Sequence, residues 1–262
     1  MILNRSALLV YALAAITLTA CHVEPWPPAH LTNQQLFAAT MAEYRKHHWD
    51  NAVTGFDKLT LELPSRDPLM PSALYFLGKS HEARDEHLLA AQSFSRLTEG
   101  FPDDSLGDDA LLAAGQAYSK LWRKPTLDAQ YGETALNTFR TLLQLYPNSS
   151  LRAAADVEIF RLNSWMAAKT YDNGMHYFRR HAYDSAIIYF KDVVKLFPGT
   201  PQVKSAQLRL AESYRSIRYH QDERDVCTVL WQSYPRDRDV RQACGAAPQT
   251  AATATPSSAA VP

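Results

Sequence analysis

Residues 183–198 read Tyr-Asp-Ser-Ala-Ile-Ile-Tyr-Phe-Lys-Asp-Val-Val-Lys-Leu-Phe-Pro, and their spacing decides the fold. Ala186 and Phe190 stand four apart, so they share one face of a helix. Ala186 lets a neighbouring helix approach closely, and Phe190 fills the space beside it. Pro198 cannot continue a helix and disfavours helical backbone at the residue before it, so the segment ends there. The same Ala, Phe and Pro spacing recurs at Ala52-Phe56-Pro64, Ala90-Phe94-Pro102 and Ala135-Phe139-Pro147. A weaker copy is Glu223-Cys227-Pro235, and each proline follows an apolar or aromatic residue. The prolines are 38, 45, 51 and 37 residues apart. That marks a repeated unit of two helices with insertions.

A partner helix precedes each copy. Gly78 lies twelve residues before Ala90, Gly174 twelve before Ala186, and Ala211 twelve before Glu223. In the third copy Gly115 lies twenty residues before Ala135, so eight residues are inserted near 122–130, where Pro125 fits a loop. From Ser150 to Arg180 there is no proline and the only glycine is Gly174. Apolar residues from Leu151 to Tyr177 keep helical spacing, which predicts one long helix capped by Ser149 or Ser150. The pattern resembles the tetratricopeptide repeat. It implies an all-α solenoid of five helix-turn-helix units, with the long helix joining the third to the fourth.

The two ends read differently. Residues 1–20 carry Arg5 and then a twelve-residue apolar stretch, Ala7–Leu18. That is short for a membrane span and right for a signal peptide. Leu18-Thr19-Ala20-Cys21 is similar to a bacterial lipobox, which implies cleavage before Cys21 and its lipidation. His22 stands where an Asp would favour the inner membrane, so the address leans to the outer membrane. Residues 21–30 hold three prolines and are expected to form an extended tether. Residues 245–262 are mostly Ala, Thr, Ser and Pro without charge, and are expected to be disordered. The folded part then divides into repeats 1–3 over 31–149 and repeats 4–5 over 150–244.

Composition and motifs narrow the function. The chain has 262 residues, 46% hydrophobic, with 27 basic against 27 acidic side chains. Net charge zero gives no bulk argument for nucleic acid. Nine glycines argue against a phosphate-cradling fold, and three cysteines exclude a four-cysteine zinc site. His81-Glu82-Ala83-Arg84-Asp85 has Asp where a zinc-protease helix needs its second His. Asp103, Asp104, Asp108 and Asp109 flank Gly107, where helix starts favour acids. No cofactor and no metal is expected. Cys227 and Cys244 lie eight and nine residues either side of Pro235, so a hairpin there would bring them to one height. They form a candidate disulfide, with two free thiols as the alternative.

The lipobox, the five repeats and the long helix together resemble the BamD family, the lipoproteins of outer-membrane β-barrel assembly. The local match is closest at Thr126-Leu-Asp-Ala-Gln-Tyr131, Tyr146-Pro-Asn-Ser149 and Tyr177-Phe-Arg-Arg-His-Ala-Tyr183. Thr170 and Tyr189 depart from the Glu and Arg that members often carry, and Glu223 and Cys227 depart from the repeat pattern. The resemblance implies an adaptor and not an enzyme. It implies a BamA-type barrel partner held by the C-terminal repeats, further assembly lipoproteins, and unfolded barrel precursors received near the N-terminal repeats. The protein would face the periplasm from the outer membrane. First helices line the binding face in such repeats, which singles out Phe37, Met41, Tyr44, Tyr75, Lys79 and Gln116. Aromatic residues there suit apolar or aromatic-ended peptides. Phe37 and Met41 also suit plain packing in a terminal repeat. The alternative function is another periplasmic repeat scaffold serving the cell wall or Tol-Pal.

Overall fold

The prolines stand where helices stop. In the computed structural model, which describes residues 26–246, the second helix of each repeat is α2 (Trp49–Glu62), α4 (His87–Gly100), α6 (Gln130–Leu145), α8 (Tyr183–Leu196) and α10 (His220–Ser233). Each is followed by a capping residue outside the helical region, Leu63, Phe101, Tyr146, Phe197 or Tyr234, and then by the proline. The first helices are α1 (Asn33–Arg45), α3 (Met70–Ala83), α5 (Gly107–Leu121), α7 (Arg152–Phe178) and α9 (Gln202–Ser216), and α11 (Arg238–Cys244) closes the described chain. The fold is all-α and of the tetratricopeptide-repeat class, as the spacing predicts. The signal segment 1–20, Cys21 and the tail from 247 lie outside the described residues.

Helix turns within the hairpins are built alike. His47, Asp85, His181 and Arg218 each stand five residues before the Ala position and adopt positive φ, from 58 to 64°. In each turn the next residue's N–H reaches back five residues, as His48 does to the Glu43 carbonyl at 3.0 Å and Ala182 to Tyr177 at 3.1 Å. This is the Schellman ending, with a side chain where glycine is usual. The third repeat lacks it because the inserted segment 122–129 occupies the turn. Trp122 in that segment is buried, and a Cβ on Gly132 would meet its ring at 2.1 Å.

Close approach between the two helices explains the glycines. A Cβ on Gly78, Gly115 or Gly174 would lie 2.7, 2.5 or 2.6 Å from the ring of Phe94, Phe139 or Phe190. All four repeat phenylalanines and their alanine partners are fully buried. The first repeat inverts the arrangement. Thr40 holds the glycine position of α1, and Gly55 of α2 makes room, since a Cβ there would lie 2.2 Å from the Thr40 hydroxyl.

The chain divides into two compact units, one ending at Ala110 and the other starting at Leu111, within α5. The 149/150 boundary expected from sequence therefore falls inside the second unit, where α7 packs against both α6 and α8. The cap of α7 also differs from expectation. Leu151 is the capping residue and gives no side-chain bond, while the Ser149 hydroxyl accepts from the Leu151 N–H at 3.0 Å, two residues too early to cap the helix itself.

Residues 26–30 run along the first hairpin. The Trp26 indole donates to the Asn51 carbonyl at 2.7 Å, and Pro27 lies beside Val53 and Leu61 of α2. This much of the expected tether is seated on the protein.

Candidate functional site

In the first unit, α1 places Phe37, Met41 and Tyr44 at helical spacing on one stripe, and α3 adds Tyr75 and Lys79. All five are half-buried. Phe37 stands edge-on to Phe56 at 5.9 Å, and Tyr44 stands edge-on to Phe76 at 5.2 Å. Tyr75 packs edge-on against Phe94 at 5.7 Å. Phe37 and Tyr44 thus support the hairpin core and keep an exposed edge. Phe76 stacks on Phe56 at 5.9 Å and joins these rings, although the sequence reading passed over it. Its signal was its place between Tyr75 and Leu77 in an apolar run, which fits core and surface alike.

Lys79 donates to Glu82 at 2.6 Å. Burial works to lower the Lys79 pKa, but the Glu82 bond and charge outweigh it, so the ammonium is held more firmly than usual. Burial, and then the Asp109 charge, push the Tyr75 hydroxyl up, with Lys79 opposing. The hydroxyl stays neutral, so the stripe presents aromatic surface with one fixed cation. That surface can receive an apolar or aromatic side chain and a carboxylate.

Gln116 belongs to the second unit and is not brought together with these five. It lines an open groove of about 520 Å³ with Ser119, Trp122, Glu158, Arg161 and Trp165. The Arg161 guanidinium lies over the Trp165 ring at 5.2 Å, pairs with Glu158 at 2.8 Å and donates to the Ser119 hydroxyl. Trp122 meets Trp165 edge-on at 5.4 Å. This tryptophan pair was hidden in sequence because one member sits in the inserted loop, outside every repeat position.

At the end of the second unit, α9 and α11 border a polar groove of about 500 Å³. Arg209 pairs with Glu212 at 2.5 Å and lies over the Phe178 ring at 5.3 Å. Arg215 donates to Glu223 at 2.7 Å and to the Ala243 carbonyl. Glu223, a lost alanine by the repeat pattern, is therefore an ion-pair partner. Cys227 and Cys244 are joined by a disulfide, with Cα atoms 5.5 Å apart. The Asp237 carboxylate caps α11 and pairs with Lys204 of α9 at 2.5 Å. Tyr189 stacks on Tyr177 at 5.4 Å and 11°. Among the described residues, no group of three His, Cys, Asp or Glu side chains is arranged to hold a metal ion. Among the same residues, no helix is long and apolar enough to cross a membrane.

A family model described as YfiO, outer membrane lipoprotein, matches residues 29–229. The outer membrane protein assembly factor BamD of Caulobacter vibrioides is 25% identical over 191 residues, covering 73% of this chain and 62% of that protein. The BamD of Xylella fastidiosa is 22% identical over 197 residues, covering 74% of this chain and 57% of that protein. The chain thus spans about three-fifths of the length of these curated relatives. The crystal structure of the P58(IPK) TPR domain is similar with a TM-score of 0.44 and 14% identity, over 81% of this chain and 54% of that one.

Proposed function

Because the chain belongs to the YfiO family of outer membrane lipoproteins, we propose that it is a lipid-anchored adaptor of outer-membrane β-barrel assembly, facing the periplasm. It works by binding and ordering partners and forms no covalent intermediate. The family match carries the reading: it runs from residue 29 into α10, and so takes in the first four repeats and most of the fifth. The assembly-factor names of the relatives give it direction.

The anchor is Cys21, at the end of Leu18-Thr19-Ala20-Cys21. Acyl chains on that cysteine hold the mature protein at about 0.8 kcal/mol per buried methylene. The α1 and α3 stripe of Phe37, Met41, Tyr44, Tyr75 and Lys79 receives the aromatic-ended segments of unfolded barrel precursors. The second unit, with Gln116 at its tryptophan-lined groove and the polar groove beside α11, holds a BamA-type barrel protein and the other assembly lipoproteins.

Affinity purification of the lipidated protein from detergent-solubilised envelopes, read by mass spectrometry, tests this. Stoichiometric recovery of a BamA-type barrel protein is the expected result. Clean recovery without one overturns it, and cell-wall or Tol-Pal partners in its place would make the chain a different periplasmic scaffold. Mass analysis of the mature N-terminus tests Cys21 separately, with an unmodified cysteine as the contrary result.

A further inference from the structure

The strap at residues 26–30 constrains the first unit in a way that a free tether would not. The Trp26 indole N–H reaches the Asn51 carbonyl at 2.7 Å, twenty-five residues away along the chain. Asn51 is itself fixed, because its side-chain amide donates to Glu43 at 2.8 Å. Glu43 also takes His48 at 2.8 Å and Lys46 at 3.0 Å, so the strap is seated on the clasp that closes the α1–α2 turn. Pro27 continues along α2 and lines an open groove of about 380 Å³ with Val53, Thr54, Lys58 and Leu61. Leu61 is 75% exposed, the most of any large hydrophobic side chain among the described residues.

Only residues 22–25 separate Trp26 from Cys21. Five Cα-to-Cα steps reach at most about 18 Å, at roughly 3.5 Å per residue. A Pro-rich tether free as far as residue 31 would reach about twice as far and would set no direction. We propose that the strap mounts the first unit with the outer face of α2, around Val53, Thr54 and Leu61, against the lipid bilayer that carries the chain's own acyl anchor. This rests on the proposed lipidation of Cys21.

The chemistry of the face states how contact is made. Asp57 and Glu62 outnumber Lys58 along the groove, with Lys58 3.9 Å from Glu62, while Asp50 at the start of α2 pairs with Arg84 at 3.3 Å. An anionic headgroup layer gains nothing from this face by charge. The contact is made by the high effective concentration that a short tether imposes, and by Pro27, Val53 and Leu61 as apolar surface. Salt screens the repulsion between acidic side chains and anionic headgroups, so the contact holds or strengthens as salt rises, whereas a basic patch on a membrane weakens.

The test uses the lipidated full chain in vesicles of phosphatidylethanolamine and phosphatidylglycerol that contain a headgroup-nitroxide lipid. A fluorophore is attached at Thr54→Cys on the exposed face of α2, or at Ala38→Cys on the exposed face of α1. Quenching several-fold stronger at position 54 than at 38, and not weakened by salt, is expected. Trp26→Ala, and separately ten Gly/Ser residues inserted between 24 and 25, should each bring the two positions level. The insertion leaves the strap itself intact, so it guards against a fold defect in the tryptophan variant. Equal quenching in protein that floats with the vesicles overturns the mount and leaves the anchor standing. Protein that does not float overturns the lipidation of Cys21, and the mount with it.

Discussion

Where α7 crosses α8, the ring of Phe190 lies so close that a Cβ on Gly174 would meet it at 2.6 Å. Where α9 crosses α10, in the next repeat of the same unit, the corresponding residues are Ala211 and Cys227, both buried. The first helix gains a methyl group and the second loses a ring. The two crossings teach that this fold needs a filled volume at the contact and not one particular pair. The fifth repeat spends its small side chain differently: Cys227 bonds to Cys244 of α11. Leu230, Trp231 and Val240 form a small core beneath that bond, so α11 covers the last repeat as another repeat would. One crossing is locked by shape, the other by a covalent link and a short helix.

The largest way to break this comparison is Phe190→Ala. It removes a fully buried ring facing a glycine, so the cavity has nothing to fill it, and about 3–5 kcal/mol of stability should be lost in urea unfolding. Loss near zero would mean that the fourth repeat does not depend on shape. Next is the covalent lock. The disulfide closes a loop of sequence separation 17, which contributes on the order of 3 kcal/mol. Cys244→Ser should lower stability by about that much and make it indifferent to reductant. Two free thiols in the unreduced wild-type protein, read by mass, would remove the lock altogether.

Gly174→Ala sharpens the comparison at smaller scale. Overpacking against Phe190 costs about 1–3 kcal/mol, against a gain of about 1 kcal/mol in helix propensity. Net destabilisation is expected from thermal unfolding, and Gly174→Ala with Phe190→Cys should lose less than the two single changes summed. A strictly additive pair would deny that the positions compensate.

The smallest effect concerns the turn clasps. In the fifth repeat the clasp is Tyr214 stacked near Tyr219 at 6.4 Å. In the first it is Glu43, held at about 2 by hydrogen bonds from Asn51, His48 and Lys46. Its pKa is depressed in the folded state, so its contribution is full above the ordinary 4.5 and is lost as pH falls through about 2. Glu43→Gln should flatten the acid limb of the stability profile, and an unchanged limb would show that the clasp does not couple to folding. The effect is modest because His48 and Lys46 are mostly solvent-exposed.

Repeat phase was legible because proline, helical period and a buried Ala–Phe pair act within one helix. Pro64, Pro102, Pro147, Pro198 and Pro235 each fall one residue past a helix cap. The candidate face was legible only in part. Phe37, Tyr44 and Tyr75 could be placed on first helices, yet Phe76, which their rings surround, carries no mark of its own. Trp165 pairs with a tryptophan in the inserted loop, and no periodicity connects them.

By itself, the sequence determined the helices, the proline-marked ends of the second helices and their pairing into five hairpins, since each depends on residues a few positions apart. Tertiary structure decided the exchange of Thr40 and Gly55, the burial of Trp122, the ion pair that gives Glu223 its place and the seating of Trp26 on Asn51. These contacts join side chains whose distance is set only when helices pack, and packing is constrained by the volume of all the neighbours together.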